Sequence, residues 1–391
     1  MKNLNNLTCY EYLNMRANEL NERIAVEFGK DTYNFAELIE SIDFFANQLI
    51  NASVKKNDVC TVLLPNCPQL IIAFYAINKI GAIANILFVD MNKMEILEKL
   101  RLNKSTVLIS TNAIVYSFDE LPKQLNTIFG TSCVTENKMN TFNLIKIENT
   151  SDTKLFNNYL LLSETKCIPA CIVGERNLQQ IDKQVVLSNQ AINNLVYNLN
   201  NAIVTSFEEQ KILSSLNMFT VAGLILSVHW TLSNGWTCVI KKEESSEVPI
   251  EVGVNAMIVD ECSFKSFFNN IGKLKSLSWV LSVNKIFESQ NDLNMLIERG
   301  IRFITALSRP ELCSVFAIMQ ENDNNNDKVF KLLPNTKIKT SDNIKFSFKF
   351  DDLYDNIAVQ SPSIMSGYLS DNPMEYNGIY INKYGEKWLY I

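Results

Sequence analysis

Glycine is scarce in this sequence. There are 12 glycines in 391 residues, about 3%, where ~7% is usual for proteins. Nucleotide-binding enzymes need glycine where the backbone closely approaches phosphate, so the composition disfavours glycine-rich phosphate loops. Histidine is scarcer still: His229 is the single one. It lies beside Trp230 in a predicted helix, where we interpret it as a packed or partly exposed helical residue, and without a second histidine a Ser-His-Asp hydrolase is disfavoured.

Long apolar runs are also missing. No stretch of about 18 apolar residues occurs, so no transmembrane helix is predicted. The first 13 residues lack the apolar core of a signal peptide, so we expect a cytoplasmic protein. A net charge of −6 and a pI near 5.2 disfavour a nucleic-acid partner.

The nine cysteines include no C-x-x-C pair. Most lie in apolar runs, which is typical of small buried thiols in a reducing compartment. An alternative for two of them, Cys167 and Cys171, is that they hold a metal ion, although the single histidine disfavours it.

Apolar strands and helical patterns alternate along most of the chain, which predicts an α/β protein with parallel sheets and helices on their faces. Two α/β subdomains are expected, in residues 1–165 and 166–325. Short β segments in residues 326–391 predict a small β-barrel-like subdomain. The polar run from Gln320 to Lys328 is the clearest candidate for a linker.

One polar stretch interrupts this pattern at a place where α/β proteins often bind phosphate. A predicted strand, Pro169 to Val173, and a second apolar run, Val185 to Leu187, flank it, and Ser188 is placed to cap the helix that follows. Such a loop can hold phosphate when it is rich in Gly, Ser and Thr. Residues 175–184 read ERNLQQIDKQ and contain none of the three.

Several motifs resemble the adenylate-forming (ANL) superfamily, which comprises acyl-CoA synthetases, aryl-CoA ligases and related adenylation domains. TYNFAEL followed by VKKNDVCTVLLPN and FYAINKIGA is very similar to the family's T-Y-x-E-L, V-x-x-G-D-x-V-x-x-L-x-N and F-x-A-x-x-K-x-G-A. The resemblance runs from about Tyr10 to Ile391. It implies the large-domain fold of the superfamily: two α/β subdomains with mostly parallel sheets in layers, plus the small β unit.

The same resemblance implies a nucleotide site, and this chain departs from the family there. The family's T-S-G-T-T-G-K-P-K-G falls on Glu175 through Gln184, where Lys183 alone matches. A carboxylate at Glu175 would repel a triphosphate, whereas Lys183 would either touch phosphate or be a solvated surface lysine. Glu311 matches the family's magnesium ligand, but it is also an ordinary residue for a first helical turn.

The adenine and acyl pockets implied by the resemblance are altered too. Val283 and Asn284 stand where the family has glycines, and Leu307 replaces a tyrosine that stacks on adenine. The family's ribose-binding Asp and its small C-terminal domain, which carries a lysine for the α-phosphate, have no counterpart in the sequence. The candidate residues of the acyl pocket are Phe219, Thr220 (in place of a histidine), Gly223 and Val283.

These departures predict a degenerate member of the family, a pseudoenzyme that binds no cofactor and serves as a binding or scaffold partner in an acyl-activation or biosynthetic pathway. Its expected partner is an active adenylating enzyme, an acyl-carrier protein or another pathway protein. The candidate ligand is an acyl or aryl acid, and the candidate assembly is a homodimer. The alternative is a divergent carboxylate–AMP/CoA ligase that uses ATP and Mg²⁺, relies on Lys183 and Glu311, and is completed by a separate small subunit. A third interpretation, a different nucleotide or a lipid as ligand, has no specific residue in its support.

Overall fold

Three β-sheets organise the chain. The structure is a computed structural model, and it describes residues 7–118, 120–132, 142–145, 169–176, 182–203, 209–241, 253–260, 263, 274–284, 290–320, 329–340, 343–345, 347–349, 357–369, 379–382 and 385–390. The sheets have ten, eight and five strands. The linker predicted at Gln320 to Lys328 falls almost wholly outside the described residues.

The eight-stranded sheet has the order β21-β9-β8-β4-β3-β5-β6-β7. Its central strands β8, β4, β3, β5 and β6 are parallel, while β9, β7 and β21 pair antiparallel at the two sides. Its strands are β3 (Val59–Leu63), β4 (Ile83–Ile86), β5 (Val107–Thr111), β6 (Thr127–Thr131), β7 (Asn143–Ile145), β8 (Pro169–Arg176), β9 (Asp182–Ser188) and β21 (Gly367–Tyr368).

The ten-stranded sheet has the order β19-β16-β15-β14-β13-β12-β10-β11-β1-β2. A parallel core runs from β14 to β1, and antiparallel strands extend it on both sides. Its strands are β1 (Ile24–Phe28), β2 (Asp31–Asn34), β10 (Lys211–Ser214), β11 (Thr237–Ile240), β12 (Ala256–Val259), β13 (Trp279–Val283), β14 (Arg302–Arg309), β15 (Ser314–Gln320), β16 (Val329–Leu332) and β19 (Ser347–Lys349).

The smallest sheet is antiparallel, with the order β18-β17-β20-β23-β22. Residues 326–391, predicted as a barrel-like unit, contribute this five-stranded sheet with β18 and β22 as its edges, but their strands β16 and β19 join the ten-stranded sheet and β21 joins the eight-stranded one. Its strands are β17 (Lys337–Thr340), β18 (Asn343–Lys345), β20 (Ile357–Gln360), β22 (Ile379–Ile381) and β23 (Lys387–Tyr390).

The helices begin at residues suited to satisfy free backbone N–H groups. Thr8, Asn34 and Asn92 each form a capping box with a glutamate three residues later. The helices are α1 (Cys9–Ala17), α2 (Phe35–Asn51), α3 (Pro68–Lys79), α4 (Lys93–Leu102), α5 (Asn112–Val115), α6 (Asn189–Ala202), a π-helix (Gly223–Trp230), α7 (Thr231–Ser233) and α8 (Gln290–Glu298). Within the described residues no helix combines the length and the apolar character needed to cross a membrane.

Helix α3 is buried along almost its whole length. Every one of its residues except Lys79 is buried, which follows from a sequence that is apolar on all sides, PQLIIAFYAINK. Two of its polar side chains serve neighbours: Asn78 accepts from the backbone N–H of Tyr10 at 2.9 Å and donates to Asn189 Oδ1 at 2.8 Å. The core of the molecule is therefore built around α3.

The sheets do not follow the order of the chain. β1 and β2 come early in the sequence but join the ten-stranded sheet, whereas β8 and β9 join the eight-stranded sheet. The division of the chain near residues 165 and 325 stays a prediction. The α/β fold class with mostly parallel large sheets is confirmed.

Candidate functional site

The candidate residues lie at the carboxyl ends of the parallel strands, where open α/β sheets bind their ligands. In the ten-stranded sheet, β10 leads to Phe219, β13 ends before Asn284, and β14 leads to Glu311. Strand β9, which carries Lys183, and strand β21, which carries Tyr368, belong to the eight-stranded sheet. Side chains from two sheets therefore meet here.

The predicted polar loop is mostly a β-hairpin. Strand β8 continues beyond Val173 to Arg176, β9 begins at Asp182, and the ladder pairs Glu175 with Lys183. A residue run without Gly, Ser or Thr has no special tendency to leave the extended conformation, and within the described residues the ladder continues to the pair of Arg176 and Asp182. Residues 177–181 lie outside the described part of the chain.

A buried polar chain anchors this hairpin to the centre of the sheet. Gln184 Nε2 donates to Asn85 Oδ1 at 3.2 Å, and Asn85 Nδ2 donates to Thr61 Oγ1 at 2.8 Å. The hydroxyl of Thr61 also contacts that of Ser105. All four side chains are buried. Gln184, which falls on the last position of the family's glycine-rich motif, is therefore an internal residue with a structural role.

Glu311 lies in a three-residue 3₁₀ helix, Pro310–Leu312, that follows β14. Glu311 is thus an acidic residue in the first turn of a short helical segment, which agrees with its interpretation as an ordinary residue of a first helical turn. Its carboxylate oxygen Oε1 accepts a hydrogen bond from the hydroxyl of Tyr368, and its other oxygen, Oε2, is buried with no hydrogen-bond partner among the described residues. Burial, together with the hydrogen bond to Glu311, raises the pKa of Tyr368 well above its ordinary value, so the phenol stays protonated and donates.

Lys183 completes this cluster. Its ammonium lies 5.1 Å from the centroid of the Tyr368 ring, a distance at which a cation is attracted to the ring face. The structure thus brings Lys183 and Glu311 to the two sides of one tyrosine. Tyr368 is not among the site residues predicted from the sequence, because its contact with Glu311 depends on β21 pairing with β9.

Asn284 has a left-handed backbone, with φ of 57°. Asparagine tolerates this conformation better than other non-glycine residues, so the turn after β13 keeps its geometry without glycine. The side chain adds two hydrogen bonds across to the end of β14: Oδ1 accepts from the N–H of Ser308 at 2.7 Å, and Nδ2 donates to the Ser308 carbonyl at 3.2 Å. Asn284 therefore ties two strand ends together.

Val283 and Leu307 are both buried and belong to the main hydrophobic core. Their strands are neighbours, with Val283 paired to Ala306. Just beyond, Cys313 and Ser314 have φ of 57° and 119°, values that are costly for residues with a Cβ. The strained backbone lies directly after Glu311.

The candidate acyl-pocket residues after β10 have definite structural roles. The Thr220 hydroxyl accepts from the N–H of Gly223 at 3.1 Å and donates to the Asn217 carbonyl at 2.8 Å, so it caps the helical segment that follows. A Cβ on Gly223 would lie 1.9 Å from the Asn217 carbonyl oxygen, so only glycine fits. Phe219 packs edge-on against Phe88, with ring centroids 5.8 Å apart.

His229 is fully buried in the π-helix, as its packed interpretation required. The Tyr75 hydroxyl donates to Nδ1 at 3.0 Å. Nε2 lies 3.0 Å from Asn193 Oδ1, which can only accept, so Nε2 carries the proton. Burial lowers the pKa of His229 to about 3, and the imidazole is neutral.

Metal chemistry has no obvious ligand cluster in the described part of the chain, where no group of three His, Cys, Asp or Glu side chains could hold an ion. The described cysteines are all buried and form no disulfide with one another: Cys9, Cys60, Cys67, Cys171, Cys238 and Cys313. Burial raises the pKa of Cys171 to about 12, which disfavours the thiolate that a metal ion needs. Cys167, its suggested partner, lies outside the described residues.

Comparison with known sequences places the similarity in the first part of the chain. Residues 13–158 match a family model described as AMP-binding enzyme. An acetyl-coenzyme A synthetase from Bartonella quintana is 39% identical over 83 residues, which is 21% of this chain and 12% of the synthetase. A 2-succinylbenzoate–CoA ligase from Geobacillus kaustophilus is 37% identical over 75 residues, 19% of this chain and 15% of the ligase. The match thus spans a small part of these relatives.

Solved structures resemble almost the whole chain. A long-chain-fatty-acid–CoA ligase from Archaeoglobus fulgidus has a TM-score of 0.76 at 13% identity, and the likeness covers 98% of this chain and 80% of the ligase. The N-terminal domain of FACL13 from Mycobacterium tuberculosis has a TM-score of 0.75 at 14% identity, covering 98% and 99%. At these identities the likeness concerns fold alone. Residues 13–158 thus match the AMP-binding enzyme family in sequence, and the chain has the fold of the large N-terminal domain of these acyl-CoA ligases.

Proposed function

We propose that this chain is a non-adenylating member of the superfamily that acts as a binding or scaffold partner in an acyl-activation or biosynthetic pathway. The observation that carries the proposal is the environment of the Glu311 carboxylate. Its carboxylate, at the position of the family's magnesium ligand, is bonded to Tyr368 on one oxygen and buried on the other.

Mg²⁺ and ATP, which the family resemblance implies, fit the described residues poorly. Magnesium prefers octahedral coordination and keeps several of its waters, but Oε2 of Glu311 is closed to solvent. One unpartnered oxygen is a favourable feature for a cation, yet Glu311 belongs to no group of three His, Cys, Asp or Glu side chains that could hold an ion among the described residues. We therefore derive no adenylation step for this chain, and we expect it to bind no cofactor.

The hairpin supports the same proposal. A triphosphate is held by free backbone N–H groups in a glycine-rich turn. In strands β8 and β9 the backbone is committed to a ladder that reaches Glu175 and Lys183, and Gln184 is turned into the core. Leu307, in place of a stacking tyrosine, is likewise part of the hydrophobic core.

A divergent carboxylate–AMP/CoA ligase completed by a separate small subunit is the second candidate. One observation favours it: Lys183 and Glu311, the two residues on which it would rely, lie in one cluster around Tyr368. In that case Lys183 would contact phosphate and Glu311 would hold magnesium once Tyr368 released it.

The partners that fit the first proposal are proteins that handle activated acids: an active adenylating enzyme, an acyl-carrier protein or another protein of the same pathway. A second copy of the chain is a further candidate. An acyl or aryl acid is the expected small ligand, because the segment from Phe219 to Gly223 and the neighbouring Val283 are largely apolar and lie at the carboxyl edge of the sheet.

ATP–pyrophosphate exchange tests the proposal directly. The purified chain is incubated with labelled pyrophosphate, Mg·ATP and a panel of fatty, aryl and amino acids, with an active acyl-CoA synthetase as positive control. We expect no exchange above the enzyme-free rate with any acid. Robust exchange with one acid, abolished by Glu311→Gln, would overturn the proposal in favour of the divergent ligase.

A further inference from the structure

The amino edge of the eight-stranded sheet carries a row of lysines, at the opposite end of the strands from the candidate site. Strands β3, β5 and β6 are neighbours in this sheet, and residues 52–58, 103–106 and 116–126 lead into them. In each connection a lysine precedes the first residue of the strand by three or four positions. These lysines, all exposed, are Lys55, Lys56, Lys104 and Lys123.

Backbone hydrogen bonds hold the three connections side by side. The N–H of Thr106 donates to the Val59 carbonyl, and the N–H of Asn126 donates to the Thr106 carbonyl, each at 3.0 Å. Since adjacent strands lie about 4.8 Å apart, a cationic side chain follows at each step of about that length. Arg101, exposed in the last turn of α4, adds to the row. The four lysines and this arginine form the basic rim.

Carboxylates are fewer than cations at this edge. In the described parts of the three connections they are Asp58 and Glu120. Asp58 is already engaged, because its Oδ2 accepts from the N–H of Lys55 at 2.8 Å. The edge is therefore locally basic on a chain whose net charge is −6. The fold creates this local field by bringing together cations that are far apart in the sequence.

Lys104 occupies a position that glycine suits better. It follows the C-terminal cap of α4 and has a left-handed φ of 51°. Its N–H bonds to the Arg101 carbonyl, and that of the next residue bonds to the Leu100 carbonyl, each at 3.0 Å. The same motif after α3 has Gly81, with φ of 74°. A left-handed backbone is costly for a residue with a Cβ, so this outlier points to a role for the lysine side chain.

The spacing of the basic rim fits an α-helix that lies across the strand ends. One helical turn rises about 5.4 Å, close to the ~4.8 Å between strands, so glutamates one turn apart would meet successive connections. A nucleic acid or an anionic membrane extends beyond three connections and would also face the acidic remainder of the chain. Ile50, 54% exposed in the last turn of α2, leads into the same edge and offers an apolar contact to a protein.

We propose that the basic rim docks a carboxylate-rich helix of a partner protein. The inference rests on the proposed function as a binding or scaffold partner and deepens it, because it names the surface and the charge of the partner. The rim lies at the opposite edge of the sheet from Lys183, so a docked helix leaves the candidate site open.

A fluorescein-labelled helical peptide with glutamates at each turn of one face is the probe, and a peptide with glutamines in their place is its control. Fluorescence anisotropy is measured with the purified full chain in about 50 mM and about 300 mM salt. We expect saturable binding of the glutamate peptide alone, weaker by at least about tenfold at the higher salt. The triple variant Lys55→Glu/Lys104→Glu/Lys123→Glu should weaken binding by at least about tenfold.

A matched variant controls for net charge. Lys30→Glu/Lys275→Glu/Lys331→Glu makes the same change of charge at exposed lysines in or beside strands of the ten-stranded sheet. The Kd of the glutamate peptide should stay within about twofold of the wild-type value in this variant. Equal losses of affinity in the two triple variants would overturn the proposal, because the effect would then belong to the charge of the whole chain.

Lys104→Gly separates docking from folding. Glycine suits the left-handed backbone, so the unfolding midpoint should equal or exceed that of the wild type, while binding of the glutamate peptide weakens by about two- to fivefold. A lower midpoint with an unchanged Kd would show that Lys104 serves stability alone and would contradict its place in the docking surface.

Other occupants of the basic rim have outcomes of their own. Tighter binding of phosphatidylserine vesicles or of a single-stranded oligonucleotide than of the peptide, lost in the rim variant, would assign the rim to a membrane or to nucleic acid. Self-association that the rim variant abolishes would assign it to a second copy of the chain. Each of these results would overturn the proposal of a partner helix.

The test is independent of the test of the proposed function. Equal binding of the glutamate and glutamine peptides would overturn the docking surface, whereas a chain inactive in ATP–pyrophosphate exchange would still support the functional proposal. Rim-dependent binding by a chain that catalyses exchange would support the docking surface and overturn the functional proposal.

Discussion

Two regions of this chain contrast sharply: the unit β3–α3–β4 and the hairpin β8–β9. In the first, an apolar helix is buried almost completely between parallel strands, and this unit lies within the residues that match the AMP-binding family. In the second, paired polar strands stand where the family resemblance implies a glycine-rich loop. Residues of the first unit are constrained by neighbours on every side, whereas the end of a hairpin is constrained mainly by what binds to it. The contrast indicates that the buried unit keeps the sequence pattern of the family, whereas the hairpin departs from it.

The largest effect is expected inside α3. Phe74→Ala removes a ring that is fully buried and packed edge-on against Tyr75 at 5.0 Å, so it should lower the free energy of unfolding by about 3–5 kcal/mol. Phe44→Ala on α2, where the ring is 36% exposed, is the matched control and should cost less than about 1 kcal/mol. Denaturant unfolding of the two variants measures both. Equal losses would contradict the picture of α3 as the centre of the core.

His229 is expected to make the free energy of unfolding depend on pH, with a loss in acid nearly as large as that of Phe74→Ala. The folded pKa is about 3, below the ordinary 6.5, so between these values the unfolded chain binds a proton that the folded chain does not. This contribution to stability is complete above pH 6.5 and is lost as the pH falls toward 3, by up to ~1.4 kcal/mol per pH unit.

The measurement is the free energy of unfolding at pH 7 and pH 4.5 for the wild type and for His229→Gln, which has no histidine to titrate. The wild type should lose more stability than the variant between the two pH values. Parallel losses would show that His229 is accessible to protons in the folded state.

Asn85→Ala tests whether the hairpin is part of the core or an appendage. The change would leave Gln184 and Thr61 without their shared partner inside the protein, and buried polar groups that lose a partner cost about 1–3 kcal/mol each. We expect a loss of about 2 kcal/mol in chemical unfolding. Asn201→Ala on α6, whose amide bonds only to the Tyr197 carbonyl in an exposed setting, should change stability by less than about 0.5 kcal/mol.

The smallest effect is expected at Asn284, on the site edge. Asn284→Ala loses both hydrogen bonds to Ser308. It also places alanine, which lacks asparagine's local hydrogen bonding, at a left-handed φ of 57°. The free energy of unfolding should fall by about 1–2 kcal/mol. Asn284→Gly loses the bonds but suits the backbone, so it should be the milder change. The order is measured by unfolding midpoints, and a more stable alanine variant would contradict the assigned turn.

The fold followed closely from the sequence where burial decides the pattern. The strands predicted at Pro169 to Val173 and Val185 to Leu187 lie within β8 and β9, and Ser188 caps α6 as predicted, because apolar spacing and caps are local signals. The turn role of Asn284 also had a signal, since asparagine is the common substitute for glycine at positive φ. These features depend on neighbours close in the sequence.

The contents of the site were harder to predict. Tyr368 and Glu311 are 57 residues apart, and they meet only because β21 adds to the edge of the eight-stranded sheet. The π-helix at Gly223–Trp230, predicted as an ordinary helix, likewise has no pattern that distinguishes it in the sequence. The functional roles given to Lys183, Glu311 and the acyl-pocket residues stay predictions, because geometry alone does not show what they bind.

Equilibrium dialysis of the purified wild-type chain against labelled ATP with Mg²⁺ tests the central claim most directly, since binding is required for either adenylation or a nucleotide-dependent scaffold. The account predicts no saturable binding at millimolar ATP, with or without Mg²⁺. Stoichiometric, Mg²⁺-dependent binding with a Kd in the micromolar range would contradict it.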